Sequence, residues 1–288
     1  MGILSGLANF GLDGFKSQDI FVDERETHKK IVEEHTVAAP LAEKDYLFEK
    51  SYVCPVCDNK FKTLAVRTGK AKMLGQDEDL RPRYEGVDPL KYDAILCNRC
   101  GFAAISRGFT NMTSHQIKGI KEQVSANFKP LPQASDTYSY DDAIVRHKIA
   151  LICAVVKNAK LSERAYICLK MSWLIKSKME SVTSDSDEYK GLQEDAKECV
   201  KDAYEGFSQA FSREAFPMCG MDEMTVAYLL AELARELGKY DEALKMAGRI
   251  ISSKSANPRI KDKTLDLKER IKQDMARDAM KEGTNPQK

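Results

Sequence analysis

The sequence predicts a mixed α+β protein, in which a small β-rich module held by a metal ion precedes an all-α domain of helical repeats. Two observations lead to this prediction. Two Cys-x-x-Cys pairs, Cys54/Cys57 and Cys97/Cys100, are flanked by short segments of strand-like composition. From about residue 113 onward, apolar residues recur every three or four positions, which is the period of an amphipathic helix.

The composition is that of a globular protein. Its 45 basic and 44 acidic side chains leave no overall field that would attract nucleic acid or an anionic membrane. No stretch reaches the roughly 18 apolar residues of a transmembrane helix, and the apolar start of the chain lacks the basic region of a signal peptide. Four further cysteines at apolar helical positions are expected to be buried free thiols: Cys153, Cys168, Cys199 and Cys219. These features predict a protein of the reducing cytoplasm with no membrane span.

The chain begins with a segment that is predicted to be a partly disordered lead-in, residues 1–44. A short hydrophobic docking segment within residues 4–15 is the alternative for its first part. His28 and His35 are expected to be exposed, because four cysteines already fill a tetrahedral metal site.

The β-rich module, residues 45–130 with a trailing helix, is predicted to hold one structural zinc ion. Zinc takes four thiolates in a tetrahedron at about 2.3 Å, and each Cys-x-x-Cys turn places two sulfur atoms on one side of a tight loop. Pro55 favours the first turn, and Gly101 follows the second pair, where a positive φ is often required. The predicted ligands are Cys54, Cys57, Cys97 and Cys100.

Three other uses of these cysteines stay open. Disulfides are the first, although the sequence has no secretory signal. A redox dithiol at Cys54 and Cys57 is the second, because Cys-Pro-x-Cys is also a redox pattern, but the thioredoxin-like βαβ surroundings are absent. An iron–sulfur centre, which four thiolates can also hold, is the third.

The 39 residues between the two pairs exceed the usual ribbon spacing of about 15–20 residues, so they must carry structure of their own. Residues 61–67 and 92–96 are predicted to be strands, and residues 76–79 and 84–89 are the predicted turn-rich connection between them. Residues 102–105 form a further predicted strand. Basic side chains in this region could form a nucleic-acid-binding face: Lys60, Lys62, Arg67, Lys70, Lys72, Arg81 and Arg83.

A helix is predicted to follow the module, because Thr113 and Gln116 have the spacing of a capping box. It runs to about Phe128, and two prolines and a polar linker then mark a domain boundary. The helical domain is predicted over residues 140–280. Asp141 and Ser162 are the predicted N-caps of its first two helices, and a longer amphipathic helix covers residues 189–211.

The most specific helical pattern lies in residues 227–258. It predicts two helices that turn at Gly238, with Tyr240 between them and Pro258 ending the second. This pair resembles a tetratricopeptide helix-turn-helix, although it lacks the aromatic residue near the start of the first helix. The charged helix over residues 259–279 would cap the stack, and residues 281–288 are expected to be a flexible tail.

Taken together, these motifs resemble an uncharacterised bacterial family, domain of unknown function 2225. The resemblance covers residues 45–275 and rests on both cysteine pairs, on the Tyr84-Glu85-Gly86-Val87-Asp88-Pro89-Leu90 run with Tyr92-Asp93, and on the stretch from Leu237 to Leu244. It implies a bacterial cytosolic protein with a zinc-ribbon-like module and tetratricopeptide-like helices, and it implies no activity.

The sequence favours binding over catalysis. It contains no His-Glu-x-x-His, phosphate loop, Gly-x-Ser-x-Gly motif or dinucleotide fingerprint, and four cysteine ligands leave zinc no position for a water molecule. The leading hypothesis is a non-enzymatic zinc-binding scaffold whose helical repeats bind a protein or peptide partner. The alternatives are a nucleic-acid-associated regulator that uses the basic face and a thiol redox protein that uses Cys54 and Cys57.

Overall fold

The structure, a computed structural model, describes residues 41–110, 112–132 and 136–283. Within these ranges the chain is mixed α+β and mostly helical, with small antiparallel strand pairs before a run of helices. The predicted fold class is confirmed. The predictions for residues 1–40, including His28, His35 and the docking segment, lie outside the described residues, as does the tail from residue 284.

Six strands in the described residues form three separate antiparallel pairs, β1–β2, β3–β4 and β5–β6. In chain order they are β1 (Leu47–Val53), β2 (Lys60–Val66), β3 (Met73–Gln76), β4 (Pro82–Tyr84), β5 (Ala94–Leu96) and β6 (Ala103–Ile105). The first cysteine pair lies in the turn between β1 and β2, where Val53 is opposite Lys60. The second lies between β5 and β6, where Leu96 is opposite Ala103. Two hairpins therefore carry the four cysteines at their tips.

Seven α-helices follow in the described residues. They are α1 (Ser114–Ile120), α2 (Tyr140–Val156), α3 (Leu161–Met179), α4 (Asp187–Arg213), α5 (Glu223–Glu236), α6 (Tyr240–Ser252) and α7 (Pro258–Gly283). A π-helical turn, Lys121–Ser125, extends α1. The helices α5 and α6 meet at Gly238, whose φ of 72° is the left-handed value that the sequence predicts for this turn.

The structure confirms one of the predicted helix N-termini and corrects another. The capping box of Thr113 and Gln116 is confirmed, since each side chain bonds the backbone N–H of the other residue. Asp141 is not the N-cap of α2. Ser139 caps this helix, because its hydroxyl accepts from the N–H of Asp142 while the Asp142 carboxylate accepts from the N–H of Ser139.

Two further boundary predictions are wrong. Ser162 does not cap α3, which begins one residue earlier, at Leu161. The carboxylate of Glu214, at the end of α4, accepts from the N–H of Leu161 at 2.7 Å and from the hydroxyl of Ser162 at 2.5 Å. Pro258 does not end α6, which stops at Ser252. It is the first residue of α7, where a missing N–H costs nothing.

Helix α2 lies between the strand pairs and the other helices. Its Cys153 is buried in one cluster with Cys54 and Phe102. Another part of the same helix, at Ala143 and Ile144, belongs to the main helical core around Trp173 and Phe207. The described residues from position 42 onward form one compact unit, and the division into regions 45–130 and 140–280 stays a prediction.

Candidate metal centre

The first cysteine turn is closed by two backbone hydrogen bonds. The N–H of Cys54 donates to the carbonyl of Asn59, and the N–H of Asp58 donates to the carbonyl of Cys54, both at 2.9 Å. This geometry requires a left-handed backbone at Asp58, whose φ is 55°. Aspartate tolerates this region better than most residues. The N–H groups of Val56 and Cys57 donate to the Cys54 sulfur.

The second turn repeats the first, residue for residue. The N–H of Cys97 donates to the carbonyl of Phe102, and the N–H of Gly101 donates to the carbonyl of Cys97, again both at 2.9 Å. Gly101 has a φ of 77°, which confirms the prediction of a positive φ. The N–H groups of Arg99 and Cys100 donate to the Cys97 sulfur. The two turns are therefore equivalent knuckles that present their sulfur atoms in the same way.

The four predicted ligands come together in one group. All four sulfur atoms lie within 4.8 Å of one another. Cys54 Sγ is 3.6 Å from Cys100 Sγ, and Cys57 Sγ is 3.7 Å from Cys97 Sγ. Sulfur atoms at the corners of a tetrahedron, each about 2.3 Å from a central zinc ion, are about 3.8 Å apart, whereas a disulfide requires about 2.05 Å. The group could hold a metal ion, since the Cys54–Cys100 and Cys57–Cys97 distances are close to this value and the other sulfur pairs lie within 4.8 Å.

Hydrogen bonds within the group shift the pKa values of its thiols in opposite directions. The pKa of Cys97 lies far below that of an ordinary thiol, because Cys100 and Cys54 donate hydrogen bonds to its sulfur. The pKa of Cys100 lies far above, because its bonds to Cys54 and Cys97 and its burial favour the protonated form. The bond with Cys100 lowers the pKa of Cys54, but the bond with Cys97 and burial outweigh it and raise that pKa to about 12. Four thiolates this close together need a positive charge among them.

One family model matches most of the chain. The family described as "Uncharacterized protein conserved in bacteria (DUF2225)" matches residues 47–271. The chain belongs to this family. A search of curated proteins and a search of solved structures each found no match. In this DUF2225 member the matched range runs from β1 into α7 and contains all four clustered cysteines.

Two contacts of the DUF2225 site were not foreseen from the sequence. The side-chain amide of Asn59 lies 3.8 Å from Cys97 Sγ and donates to it, so that the first turn also supports a ligand of the second. Cys153 of α2 accepts from the N–H of Ala103 at 3.4 Å and donates to the carbonyl of Gly101 at 3.6 Å. Helical periodicity predicts that Cys153 is buried, but it cannot show which hairpin a buried thiol will contact.

The remaining cysteines are free thiols, as predicted. Cys153 and Cys168 are buried, and Cys199 and Cys219 are half-buried. His115 is exposed in the first turn of α1. His147 is fully buried in α2. No helix in the described part of the chain combines the length and the apolar character that a membrane span requires.

The basic face proposed for nucleic acid is smaller than the sequence suggests. Arg81 is buried and paired with Asp77 and with Glu180 of α3 at 2.6 and 2.7 Å. Arg83 contacts the same two carboxylates. The strand pair β3–β4 thus buries Arg81 against α3, whereas the side chain of Arg83 remains 38% exposed.

Residues in the run from Tyr84 to Asp93 line two cavities. Tyr84, Gly86 and Asp88 border a polar cavity of about 420 Å³. The groups there satisfy one another: Asp88 accepts from the N–H of Leu90 at 3.0 Å, and Lys91 pairs with Glu43 at 2.6 Å. This cavity has the contacts of a packed structural turn.

Proposed function

We propose that Cys54, Cys57, Cys97 and Cys100 hold one structural zinc ion in a non-enzymatic protein. The observation that supports this most is the tetrahedral spacing of four sulfur atoms supplied by two equivalent knuckles. Bound zinc would contribute folding free energy and join the β1–β2 hairpin to the β5–β6 hairpin. Four thiolates fill its coordination sphere, so the site has no open position for a substrate or an activated water molecule.

The redox alternative has less support. A redox dithiol would pair Cys54 with Cys57, whereas the sulfur of Cys54 contacts that of Cys100 and the sulfur of Cys57 contacts that of Cys97. None of the eight cysteines, all of which lie in the described residues, forms a disulfide, which favours a reducing cytoplasm. The nucleic-acid alternative loses Arg81 and Arg83 to ion pairs, and Lys62 pairs with Glu49 at 2.9 Å.

The metal is tested by elemental mass spectrometry of protein expressed without added metal. We expect one zinc ion per chain, and iron with visible absorbance would favour an iron–sulfur cluster instead.

The Cys100→Ser variant tests the site itself, because it removes one of the four thiolates. Zinc binding to finger peptides releases roughly 10–16 kcal/mol, so that an equal share for each thiolate is about 3 kcal/mol. Zinc affinity should fall by about two orders of magnitude. Cys199→Ser, which changes a thiol outside the group, is the matched control. Full zinc content and an unchanged melting temperature in Cys100→Ser would contradict the site.

We further propose that the helical part is an interaction scaffold and that an amphipathic helix of a partner protein packs on α2. The observation that supports this surface is an exposed apolar stripe, the α2 stripe, formed by Val145, Ile152 and Val155, which are 39%, 55% and 50% exposed. The first two are seven residues apart and so lie on one side of the helix. An apolar helical face of this kind is suited to a second helix.

The partner is tested with a photo-crosslinking amino acid at position 152 in living bacteria. A crosslinked protein is identified, purified and titrated against the wild type and Ile152→Asp. Leu265→Asp is the matched control, because Leu265 on α7 is also an exposed aliphatic residue, at 49%. We expect binding to be lost only in Ile152→Asp. Equal binding by both variants would refute the α2 stripe as the interface.

A further inference from the structure

Two adjoining cavities lie between the end of β6 and helix α3. The inner one, of about 330 Å³, reaches Trp173, and the outer one, of about 250 Å³, reaches Met218. Ile105, Arg107 and Tyr166 line both cavities. We call the two together the Arg107 groove. Its walls come from the strand that follows the second cysteine knuckle, from α3, and from the loop between α4 and α5.

Arg107 is exposed and its charge is not neutralised by an ion pair. Among the described residues no carboxylate lies within ion-pair distance of it. Its guanidinium rests instead on Gly220, where an added Cβ would lie 2.8 Å from Arg107 Nη1. Gly220 has a φ of 86°, and the neighbouring Cys219 has a φ of 50°. Backbone strain at a non-glycine residue such as Cys219 is often found at binding sites.

The carboxylates that line the groove are already engaged. Asp93 is paired with Lys170 at 2.7 Å. Glu163 is paired at 2.6 Å with a buried lysine at the end of α2. Glu214 accepts the hydrogen bonds at the start of α3. Arg107 is therefore a positive charge at a concave surface whose own anions have other partners.

The inner end of the groove is aromatic. Trp173 borders the inner cavity but is only 4% exposed. The ring of Tyr166 stands edge-on to Trp173, with centroids 6.4 Å apart. The groove therefore offers aromatic walls to the body of a ligand.

We propose that the Arg107 groove binds a small organic carboxylate with an aromatic or apolar body. Arginine binds carboxylates through two parallel hydrogen bonds, and an unpaired arginine at a cavity is the feature that selects an anion. The body of the acid packs against Tyr166 and Ile105, with the ring of Trp173 at the inner end. The size of each cavity restricts the ligand to about one ring, at the lower limit of ligand pockets. This binding activity is separate from the metal centre and from the α2 stripe.

Trp173 is the single tryptophan of the chain, so its fluorescence reports directly on this groove. Full-length protein is titrated at constant ionic strength with benzoate, phenylacetate and 3-phenylpropionate. We expect a saturable change in emission with at least one of these acids. Phenylacetamide, which has the same body without the charge, should bind at least about tenfold more weakly than phenylacetate, because it loses the charge-assisted hydrogen bonds.

Variants separate recognition by Arg107 from unspecific binding. Arg107→Gln should weaken binding of the acid by at least about tenfold, and Arg107→Lys, which keeps the charge without the paired geometry, should give an intermediate affinity. Arg259→Gln on α7 removes another exposed arginine and should bind as the wild type does. Circular dichroism verifies that the variants are folded. The proposal is overturned by the absence of a saturable response to all three acids, by equal affinity for phenylacetate and its amide, or by unchanged binding in folded Arg107 variants.

Discussion

His147 should make the stability of the protein depend on pH. The imidazole is fully buried in α2, where its Nδ1–H donates to the carbonyl of Ala143 at 2.8 Å. Burial lowers its pKa to about 4, against smaller opposing effects of the Ala143 carbonyl and of Asp93. The charges of Lys170 and Arg146 lower it further. The folded protein therefore keeps His147 neutral at pH values where the unfolded chain protonates it.

The sign and the size of the pH effect on stability follow from this difference in the pKa of His147 between the folded and unfolded states. In the unfolded chain the imidazole takes up a proton as the pH falls below about 6.5, whereas the folded protein resists until about pH 4. The contribution of His147 to stability is complete above pH 6.5 and is lost as the pH falls from 6.5 to 4. Linkage gives a loss of about 2 kcal/mol between pH 7.5 and pH 5.

The assay is urea unfolding of the wild type and of His147→Gln at several pH values. Acid also protonates the cysteines of the metal site, but this affects both proteins equally. The difference in unfolding free energy between them isolates His147, and it should change by about 2 kcal/mol in favour of the variant between pH 7.5 and pH 5. A difference that stays constant over this range would refute a neutral, buried His147.

Three further perturbations test other parts of the structure. Gly101→Ala should lower the melting temperature more than Gly69→Ala. Both positions have a positive φ, but only at Gly101 would the new Cβ meet a side chain, 2.4 Å from the ring of Phe128. Equal melting temperatures of the two variants would exclude that clash. Glu214→Gln should destabilise the start of α3 by about 1 kcal/mol, the usual value of a helix cap, and thermal unfolding measures it. Residues 140–283 expressed alone should stay helical by circular dichroism but melt below the whole chain, because the surface of α2 that packs on the hairpins becomes exposed; a disordered fragment would end the two-domain interpretation.

The metal-site geometry was accessible from the sequence because its determinants are local. A Cys-x-x-Cys turn fixes two sulfur atoms within five residues, and Gly101 marks the left-handed position of the second turn. The equivalent position of the first turn is Asp58, which gives no such signal, although its φ is also positive. The strands that flank each cysteine pair could also be predicted, because strand-like composition is likewise a local property of the sequence.

What the sequence did not predict depends on contacts between distant residues. The cap of α3 is a carboxylate about fifty positions away, at Glu214, so no local motif records it. The pair β3–β4 is held by ion pairs of Arg81 and Arg83 with Glu180, far along the chain. From the sequence alone, a charged side chain is assigned to the solvent-exposed surface. Only the fold shows which charged side chains form ion pairs.

Helix α2 connects these observations, since the same seventeen residues serve both parts of the molecule. Cys153 bonds the knuckle that carries Cys97 and Cys100, while Ala143 and Ile144 pack in the helical core. If the proposed zinc ion is bound, its loss would remove the support of Gly101 and with it the partner of Cys153. The destabilisation would then extend into α2 and to the stripe that we propose as a partner surface. Under these two proposals, a metal site without an open coordination position would still affect binding, through the position of one helix.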